Sequence, residues 1–360
     1  MLGTILEKNY LKTKGNIITY SWSAYKELSH KISGHLFEAI DYYLALIELP
    51  HFNAADYMLL LPESDSLRIE QCRKAITYKY KEQYQELLKD KIIFGRPLIV
   101  NCNKLIVCDG ILPAMSALVC KSIDLWLCSK DNLWVVNKLK EASFNELTLR
   151  YKDEIHMDVI QSYLDKVEEL SKEKNFDYLL DKQFIKDINI NFYKEPKKPK
   201  ENSYLIYMTG NCRSLGDVVE LTDDHIEGVV KDIVDVFISE FPYKKEYLDI
   251  IFAGANDKDL VVIDAIIKRL NQWNWNFIDK INYKVIKEDQ LPIEDFHSEF
   301  NKYIYTPTPK NWDCSSRLIR ECVAYDKKVL FTRNSLALLD TNYGLKYLIK
   351  KFNLICRLQC

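Results

Sequence analysis

The sequence predicts an α/β protein with two successive domains, each built on a mostly parallel sheet that helices cover on both faces. Three observations lead to this prediction. The 360 residues are too many for one ordinary compact core and enough for two. Short apolar runs alternate with longer helix-like stretches, as in parallel sheets connected by helices. The segment 194–200, with two prolines and four lysines, interrupts this alternation, which restarts after it.

The elements of the first half follow from apolar runs and from helix start and stop signals. The clearest helix shows Leu36, Ile40 and Leu44 at helical spacing and is stopped by Pro50. We predict strands at 16–20, 57–61, 97–100, 104–108 and 123–127, and helical segments at 35–49, 65–90, 113–119 and 153–182.

The second half repeats the alternation, with strands at 204–208, 248–254, 282–286, 303–305 and 328–331 and helices at 223–241, 261–270, 317–325 and 345–354. The predicted domains are 1–195 and 201–344, with the terminal helix 345–360 packing back on the first. Each domain is expected to resemble a Rossmann fold. Ligands of open α/β sheets bind beyond the carboxyl ends of the strands, so two such domains facing each other form a cleft suited to a ligand.

Charge and composition exclude several classes of protein. The net charge is −2, which argues against a strongly basic nucleic-acid-binding chain. No run of 18 apolar residues occurs, so we predict no membrane span, and the first 15 residues lack the apolar core of a signal peptide. The ten cysteines show no zinc spacing and are interpreted as buried free thiols of a reducing cytoplasm. The basic segments 73–81 and 194–200 suit a nucleic-acid backbone, with a charged helix face and a linker as the alternatives.

The first candidate motif is the loop 209–216, which lies between a predicted strand and a predicted helix. Glycine allows backbone N–H groups to approach phosphate oxygens closely, and arginine offers two donors to a phosphate. The candidate phosphate-binding residues are Gly210, Asn211, Arg213 and Ser214. The alternative is a solvated turn.

The second candidate motif surrounds the start of the helix at 317–325. Ser315 or Ser316 can cap this helix, whose free N–H groups then favour a diphosphate. Arg317 and Glu321 are four residues apart and therefore share a helical face, with Arg320 beside them. The alternative is an ion pair on a solvated face.

The third candidate is Asp109, which follows an apolar strand and precedes Gly110. A carboxylate at a strand end that faces the cleft can take a proton from an acceptor hydroxyl. His35, at the start of the first helix, is the alternative base. Each also has a purely structural interpretation, Asp109 as a turn cap and His35 as a helix-terminal residue. Tyr20 and Trp22 either stack an acceptor or pack.

These motifs resemble those of the GT-B glycosyltransferase superfamily. Asp313 and Glu321 have the eight-residue separation of that family's nucleotide-binding signature, whose Glu binds the ribose. Three stretches, taken in order, also resemble the DNA β-glucosyltransferases of T-even phages: 108–113 is similar to their loop with the catalytic Asp, 207–214 to their Gly-x-x-Arg-Ser loop, and 316–321 to their Arg and Glu region. The spacing departs from theirs, because Arg317 and Glu321 are four apart rather than three, which leaves Arg320 as an alternative.

The resemblance implies a nucleotide-sugar-dependent hexosyltransferase with the GT-B fold, whose donor, UDP-glucose or a related UDP-sugar, binds in the cleft between the two domains. The implied acceptor is a hydroxyl, either on a hydroxymethylated base of phage DNA or on a bacterial surface glycan. A non-catalytic nucleotide-binding protein is the further alternative. The implied location is the cytoplasm of a bacterial or phage-infected cell. No cofactor or metal is required in this prediction, although a divalent ion assisting departure of the diphosphate stays open. The sequence does not predict the oligomeric state.

Overall fold

The computed structural model describes residues 1–20, 34–108, 117–127, 132–151, 157–181, 188–208, 223–240, 246–273, 278–306, 316–333 and 349. The chain divides into two compact units, Met1–Lys194 and Glu195–Cys360. Each unit is α/β, and every pairing between its named strands is parallel among the residues described. None of the described helices is long and apolar enough to cross a membrane.

The N-terminal unit contains a nine-stranded sheet and five helices within its described ranges. The strands are β1 (Thr4–Ile5), β2 (Tyr10–Lys12), β3 (Asn16–Thr19), β4 (Tyr57–Leu61), β5 (Ile92–Phe94), β6 (Ile99–Val107), β7 (Ala117–Leu127), β8 (Glu146–Tyr151) and β9 (Asp177–Asp181). The helices are α1 (Gly34–Ile47), α2 (Ser66–Lys79), α3 (Glu82–Lys89), α4 (Asn132–Glu141) and α5 (Met157–Lys174). The strand order is β1-β5-β4-β3-β6-β7-β8-β9, with β2 also paired to β6.

Helices cover both faces of this sheet. On one face, buried residues of α4 and α5 such as Val136, Leu139 and Val167 pack against Leu125 and Leu149 of the sheet. On the other, α1 contacts β3 and β4. Burial on both faces explains why strands such as β4 are continuously apolar rather than alternating.

The C-terminal unit contains a five-stranded sheet and three helices within its described ranges. The strands are β10 (Ser203–Tyr207), β11 (Glu246–Ala255), β12 (Ile278–Lys287), β13 (Lys302–Tyr305) and β14 (Lys328–Phe331), in the order β12-β11-β10-β13-β14. The helices are α6 (Asp223–Glu240), α7 (Asp259–Trp273) and α8 (Arg317–Ala324). One core joins α6 and α7 to the sheet, and a second core joins α8 to its opposite face.

Both sheets reverse their direction of growth at one point. After β3 the chain adds β4 and β5 on one side, then returns to add β6 to β9 on the other. After β10 it adds β11 and β12 on one side, then β13 and β14 on the other. Such a topological switch point is where open α/β sheets bind ligands, beyond the carboxyl ends of the two strands that flank it.

Several predicted elements are wrong or incomplete. The last three residues of the predicted helix 113–119 begin β7, where burial alternates between Leu118, Val119 and Cys120 with the period of a strand. The two strands predicted at 97–100 and 104–108 fall largely within one strand, β6, which continues through residues 101–103. The helical prediction 153–182 holds for α5, but β9 follows it. The segment 65–90 forms two helices, α2 and α3, and the elements β1, β2, β5, β8, β9 and α4 were not predicted.

Candidate functional site

The switch point of the C-terminal unit lies between β10 and β13. β10 ends at Tyr207 and β13 at Tyr305, and their side-by-side pairing brings the chain beyond both strands to one edge of the sheet. Both predicted donor motifs follow these two strands in the sequence. The whole loop 209–216, with Gly210, Asn211, Arg213 and Ser214, lies outside the described residues. Asp313 and Ser315 of the second motif also lie outside them.

The first described residue of the second motif is Ser316, which is the N-cap of α8. Its hydroxyl accepts a hydrogen bond from the Ile319 backbone N–H at 3.5 Å, and the residue is buried. The helix then buries Ile319 and Cys322 against the sheet and is amphipathic, as its sequence predicts. α8 ends shortly before the amino end of β14, so its N-terminal end points toward the carboxyl edge of the sheet.

Glu321 is buried, and its carboxylate contacts two nitrogen-containing side chains, Arg317 and His297. Its Oε1 atom accepts from Nε of Arg317 at 2.7 Å, and its Oε2 atom lies 2.9 Å from Nε2 of His297. Glu321 is only 6% exposed, so the Arg317–Glu321 pair predicted by spacing lies inside the protein rather than on a solvated face.

His297 was not predicted as a site residue. It belongs to the short 3-10 helix Phe296–Ser298, which precedes β13, and its ring contacts the ring of Tyr325 at a centroid distance of 4.6 Å and an interplanar angle of 42°. Lys327 holds this turn by donating from Nζ to the carbonyl oxygens of His297, at 2.7 Å, and Phe300. Burial lowers the pKa of the Lys327 ammonium below its usual range, against the opposing effects of Cys322 and Asp295. No sequence spacing reveals His297, because it meets Glu321 only through tertiary packing.

The switch point of the N-terminal unit lies between β3 and β6. The Cys108 backbone N–H donates to the Thr19 carbonyl at 2.9 Å, so the two strand ends are joined there. Asp109 is the next residue in the chain and lies outside the described residues. His35 is the second residue of α1 and is half-buried. Because α1 connects the parallel strands β3 and β4, its first turn faces the carboxyl edge of the sheet.

A buried carboxylate near His35 was also missed by sequence reasoning. Glu38 lies three residues after His35, on the same face of α1, and is 6% exposed. Its neighbours Leu36, Ala39 and Ile40 are also buried. The sequence signal for Glu38 is an acidic residue among apolar positions of a predicted helix. This signal is weak, because such a residue usually lies at the border between the buried and the exposed face of a helix.

A charged cluster crosses the strands β6 to β9 on one face of the sheet. Asp124, 2% exposed, accepts from Nζ of Lys104 at 2.9 Å and from Arg150 at 3.4 Å, and Arg150 also bonds Asp181. Two cations and two carboxylates make the cluster neutral in sum, and buried Asp124 lies between both cations. Such a network links the four strands, although Oδ1 of Asp124 and Nε of Arg150 are buried without a hydrogen-bond partner among the described residues.

An aromatic pair adjoins this cluster. The Arg150 guanidinium lies 5.6 Å from the Trp126 ring centroid, and Tyr42 meets the same ring edge-on at 5.6 Å. Burial, with the nearby Cys108 and Asp124, raises the pKa of the Tyr42 hydroxyl well above its usual range. These contacts join α1 to the carboxyl half of β7.

Two residues considered for an acceptor have structural contacts instead. Tyr20 is 3% exposed and donates from its hydroxyl to Glu63 at 3.3 Å, so it packs rather than presenting a stacking surface. Arg73, from the basic segment 73–81, donates to the carbonyl oxygens of Leu2 and Gly3 and thereby holds the N-terminal strand. Trp22 lies outside the described residues.

Within the described ranges, no group of three or more His, Cys, Asp or Glu side chains is arranged to hold a metal ion. A scan of the sequence against protein-family models finds no match. A search of curated proteins likewise finds no matching sequence.

Proposed function

We propose that the protein is a nucleotide-sugar-dependent glycosyltransferase of the GT-B superfamily, which transfers a hexose from a UDP-sugar to a hydroxyl acceptor. One observation carries the proposal. The two sequence motifs expected to bind the donor follow β10 and β13, the two strands that flank the switch point of the C-terminal unit. The sheet has five strands, and the two motifs could have followed any of them. Both instead follow the two strands that flank the switch point.

In the proposed reaction, the acceptor hydroxyl loses its proton to a base as its oxygen attacks the anomeric carbon of the sugar. The bond between that carbon and the diphosphate oxygen breaks, and UDP leaves. Gly210, Asn211, Arg213, Ser214 and the start of α8 are proposed to stabilise the negative charge that develops on the diphosphate. Glu321 is proposed to bind the ribose, and Arg317 fixes its carboxylate at 2.7 Å.

The proposed base is Asp109, with His35 as the alternative. Asp109 directly follows Cys108 in the sequence, and His35 lies in the first turn of the helix that follows β3. The strands β3 and β6 flank the switch point of the N-terminal unit. Glu38, buried one turn after His35, is a second carboxylate on that helix. In this proposal the acceptor is bound by the N-terminal unit and is either a DNA base carrying a hydroxymethyl group or a glycan.

The first test is donor binding and turnover by the full chain. Calorimetry with UDP and UDP-glucose is expected to give saturable binding, followed by slow release of glucose from UDP-glucose in the absence of acceptor. Binding without any release of sugar favours the non-catalytic nucleotide-binding alternative. Absence of binding by every nucleoside diphosphate at about millimolar concentration, the weak limit of specific recognition, overturns the proposal.

The second test separates the two candidate bases. Asp109→Asn keeps the shape of the side chain and removes its basicity, so we expect unchanged UDP affinity and about 10²–10⁴-fold slower sugar transfer. His35→Asn is the matched variant and is expected to retain most of the activity. The reverse result, a slow His35 variant and a normal Asp109 variant, assigns the base to His35.

A further inference from the structure

Thr306 carries a buried hydroxyl that the fold does not satisfy. It follows β13 directly and is 8% exposed. Among the residues that the structure describes, it is one of few whose buried side-chain oxygen has no hydrogen-bond partner. Burying a hydroxyl without a partner costs free energy, and native proteins rarely leave one so. An unsatisfied hydroxyl at a ligand-binding edge therefore indicates a partner supplied by a ligand.

The side chain of Thr306 continues the alternation of β13. Tyr303 and Tyr305 lie in the core shared with α8, whereas Ile304 lies in the core shared with α6 and α7. The residue after Tyr305 therefore falls on the α6 side of the sheet. The neighbouring strand ends at the same level, because Tyr305 pairs with Phe331 and the Thr332 N–H donates to the Tyr305 carbonyl at 3.5 Å.

Two helices, α6 and α8, begin toward this edge on opposite faces of the sheet, and the first turn of α6 carries Asp223 and Asp224. Glu240, the last residue of α6, bonds Lys302 and Lys328 at the amino ends of β13 and β14. The 18 residues of α6 span about 27 Å, whereas the four-residue β13 spans about 13 Å, so α6 begins beyond the carboxyl edge. On the other face α8 begins with capped Ser316. The N-terminal ends of helices favour anionic ligands.

We propose that Thr306 is a further donor-binding residue, whose hydroxyl donates a hydrogen bond to an oxygen of the nucleotide diphosphate. This inference rests on the proposed function and adds to it a residue from neither predicted motif. The diphosphate is favoured over the nucleoside because α8 begins at the same carboxyl edge of the sheet as Thr306 and has no acidic residue in its first turn, so its free N–H groups favour negative charge there. A hydroxyl bond to a charged oxygen is among the stronger hydrogen bonds in proteins.

The test compares Thr306→Val, which removes the hydroxyl at nearly constant shape, with Thr306→Ser, which retains it. Calorimetry is run with UDP, uridine and inorganic pyrophosphate, and melting temperatures are measured without ligand. We expect Thr306→Val to weaken UDP and pyrophosphate by about 10–100-fold and to leave uridine within about twofold. Thr306→Ser is expected to bind all three within about threefold of the wild type.

Thr19→Val is the matched control. Thr19 ends β3 at the switch point of the other unit, and its buried hydroxyl donates to the Leu60 carbonyl at 2.7 Å. Removing this satisfied hydroxyl is expected to lower the melting temperature, whereas removing the unsatisfied hydroxyl of Thr306 is expected to raise it. The direction of each change in melting temperature is measured without an activity assay.

Three outcomes overturn the inference. They are normal UDP binding by Thr306→Val, equal weakening of UDP and uridine, and a melting temperature that falls as in Thr19→Val. The proposed function fails separately: a wild type that binds pyrophosphate but neither UDP nor uridine, with the Thr306→Val loss intact, supports an anion site and rejects the nucleotide donor. A wild type that binds none of the three rejects both.

Discussion

At the scale of single residues, Glu321 combines a predicted ligand role with a structural one. Its two carboxylate oxygens bond Arg317 and His297, and all three side chains are about 10% exposed or less. A buried charge that loses its counter-ion is costly, because the remaining charge has neither water nor a partner. Glu321 is therefore required for the stability of the C-terminal unit whatever it binds.

The substitution Glu321→Gln tests this requirement by removing the charge and keeping the shape. We expect it to lower the free energy of unfolding by about 3–5 kcal/mol, the usual cost of breaking a buried ion pair from one side. Urea denaturation followed by circular dichroism measures the change. A loss below about 1 kcal/mol, the scale of an exposed pair, would contradict the burial of this charge.

Glu299→Gln is the matched control for that experiment. Glu299 pairs with Lys284 on the surface of the same unit, where the two side chains are 30% and 46% exposed. Water and salt screen such a pair, so the same substitution is expected to change stability by less than about 1 kcal/mol. Comparing the two variants separates the effect of burial from that of replacing a glutamate.

The same residues show how much of the candidate site the sequence could predict. Arg317 and Glu321 are four apart in one helix, so helical geometry alone predicts that they meet, at 2.7 Å. His297 is 24 residues from Glu321, and their contact requires the packing of a 3-10 turn against α8. Thr306 follows a predicted strand, but its missing partner is a property of the fold. The sequence predicts contacts between residues that are close together in one helix. It does not predict contacts between distant residues, nor whether a buried polar group finds a hydrogen-bond partner.

At the scale of elements, the helix caps were predictable because a cap is a local motif. Asp65 caps α2 by accepting from the Arg68 N–H at 3.0 Å, and Ser316 caps α8 with the corresponding bond at 3.5 Å. Asp65 also places a negative charge at the positive end of the helix dipole, which a serine cannot do. The two caps therefore differ in strength although they occupy the same position of a helix.

The two alanine variants are expected to differ accordingly. Asp65→Ala should cost about 1–2 kcal/mol and Ser316→Ala about 0.5–1 kcal/mol, within the usual range for a lost N-cap. Urea denaturation midpoints measured with a common slope give the comparison. A larger loss for Ser316→Ala would be inconsistent with its longer cap bond and would mean that its hydroxyl makes another stabilising contact.

The strands that were missed or predicted wrongly have physical features that explain the error. The start of β7 follows Pro113 and is apolar, and a short apolar run does not distinguish a helix from a strand. Its pairing with β6 decides the outcome. β9 follows a long amphipathic helix, and the stop signal was Asn175, whose left-handed φ of 52° ends α5. β8 alternates buried Leu147 and Leu149 with polar residues, a pattern within reach of the sequence.

At the scale of the whole molecule, the chain divides after Lys194, directly behind a segment that is bonded to the N-terminal unit. The Lys81 N–H donates to the Phe192 carbonyl at 3.0 Å, and the Lys194 N–H donates to the Lys79 carbonyl at 2.8 Å. The Tyr193 hydroxyl bonds Asp41 of α1. These bonds tie 190–194 to the N-terminal unit, and the proline- and lysine-rich residues begin immediately afterwards. The linker composition was the signal that the sequence supplied.

Both units bury acidic protons, and this determines how their stability depends on pH. Burial raises the pKa of the Cys72 and Cys322 thiols and of the Tyr20 and Tyr163 hydroxyls well above their usual ranges. A hydrogen bond to Cys102, together with burial, does the same for Cys120. The five described cysteines are all buried and free, which agrees with the interpretation of the cysteines as buried thiols for this part of the chain.

The sign of the pH effect follows from these shifts. Between the ordinary pKa values, 9.0 for Cys and 10.0 for Tyr, and the raised values of the folded state, the unfolded chain releases these protons and the folded protein keeps them. Raising the pH through that window therefore favours unfolding. Lys327 acts in the opposite direction, because its folded pKa is lowered and its contribution improves as the pH approaches 10.5. Burial also lowers the pKa of Lys174 and raises those of Tyr42 and Tyr43, so the groups with a raised pKa outnumber the two lysines with a lowered one.

We therefore expect the free energy of unfolding to change little between pH 7 and 8 and to fall from about pH 9, by about 1.4 kcal/mol per pH unit for each group that titrates only in the unfolded chain. Urea denaturation midpoints at pH 7, 8, 9 and 10 measure this decline. Cys72→Val removes one such proton, so its stability should fall less steeply between pH 9 and 10 than that of the wild type. Stability that is constant or rising up to pH 10 would show that the thiols and phenols titrate equally in both states. That result would also require the thiols to be accessible to solvent in the folded protein. Reaction of the cysteines with a thiol reagent at pH 8, without and with urea, tests this independently.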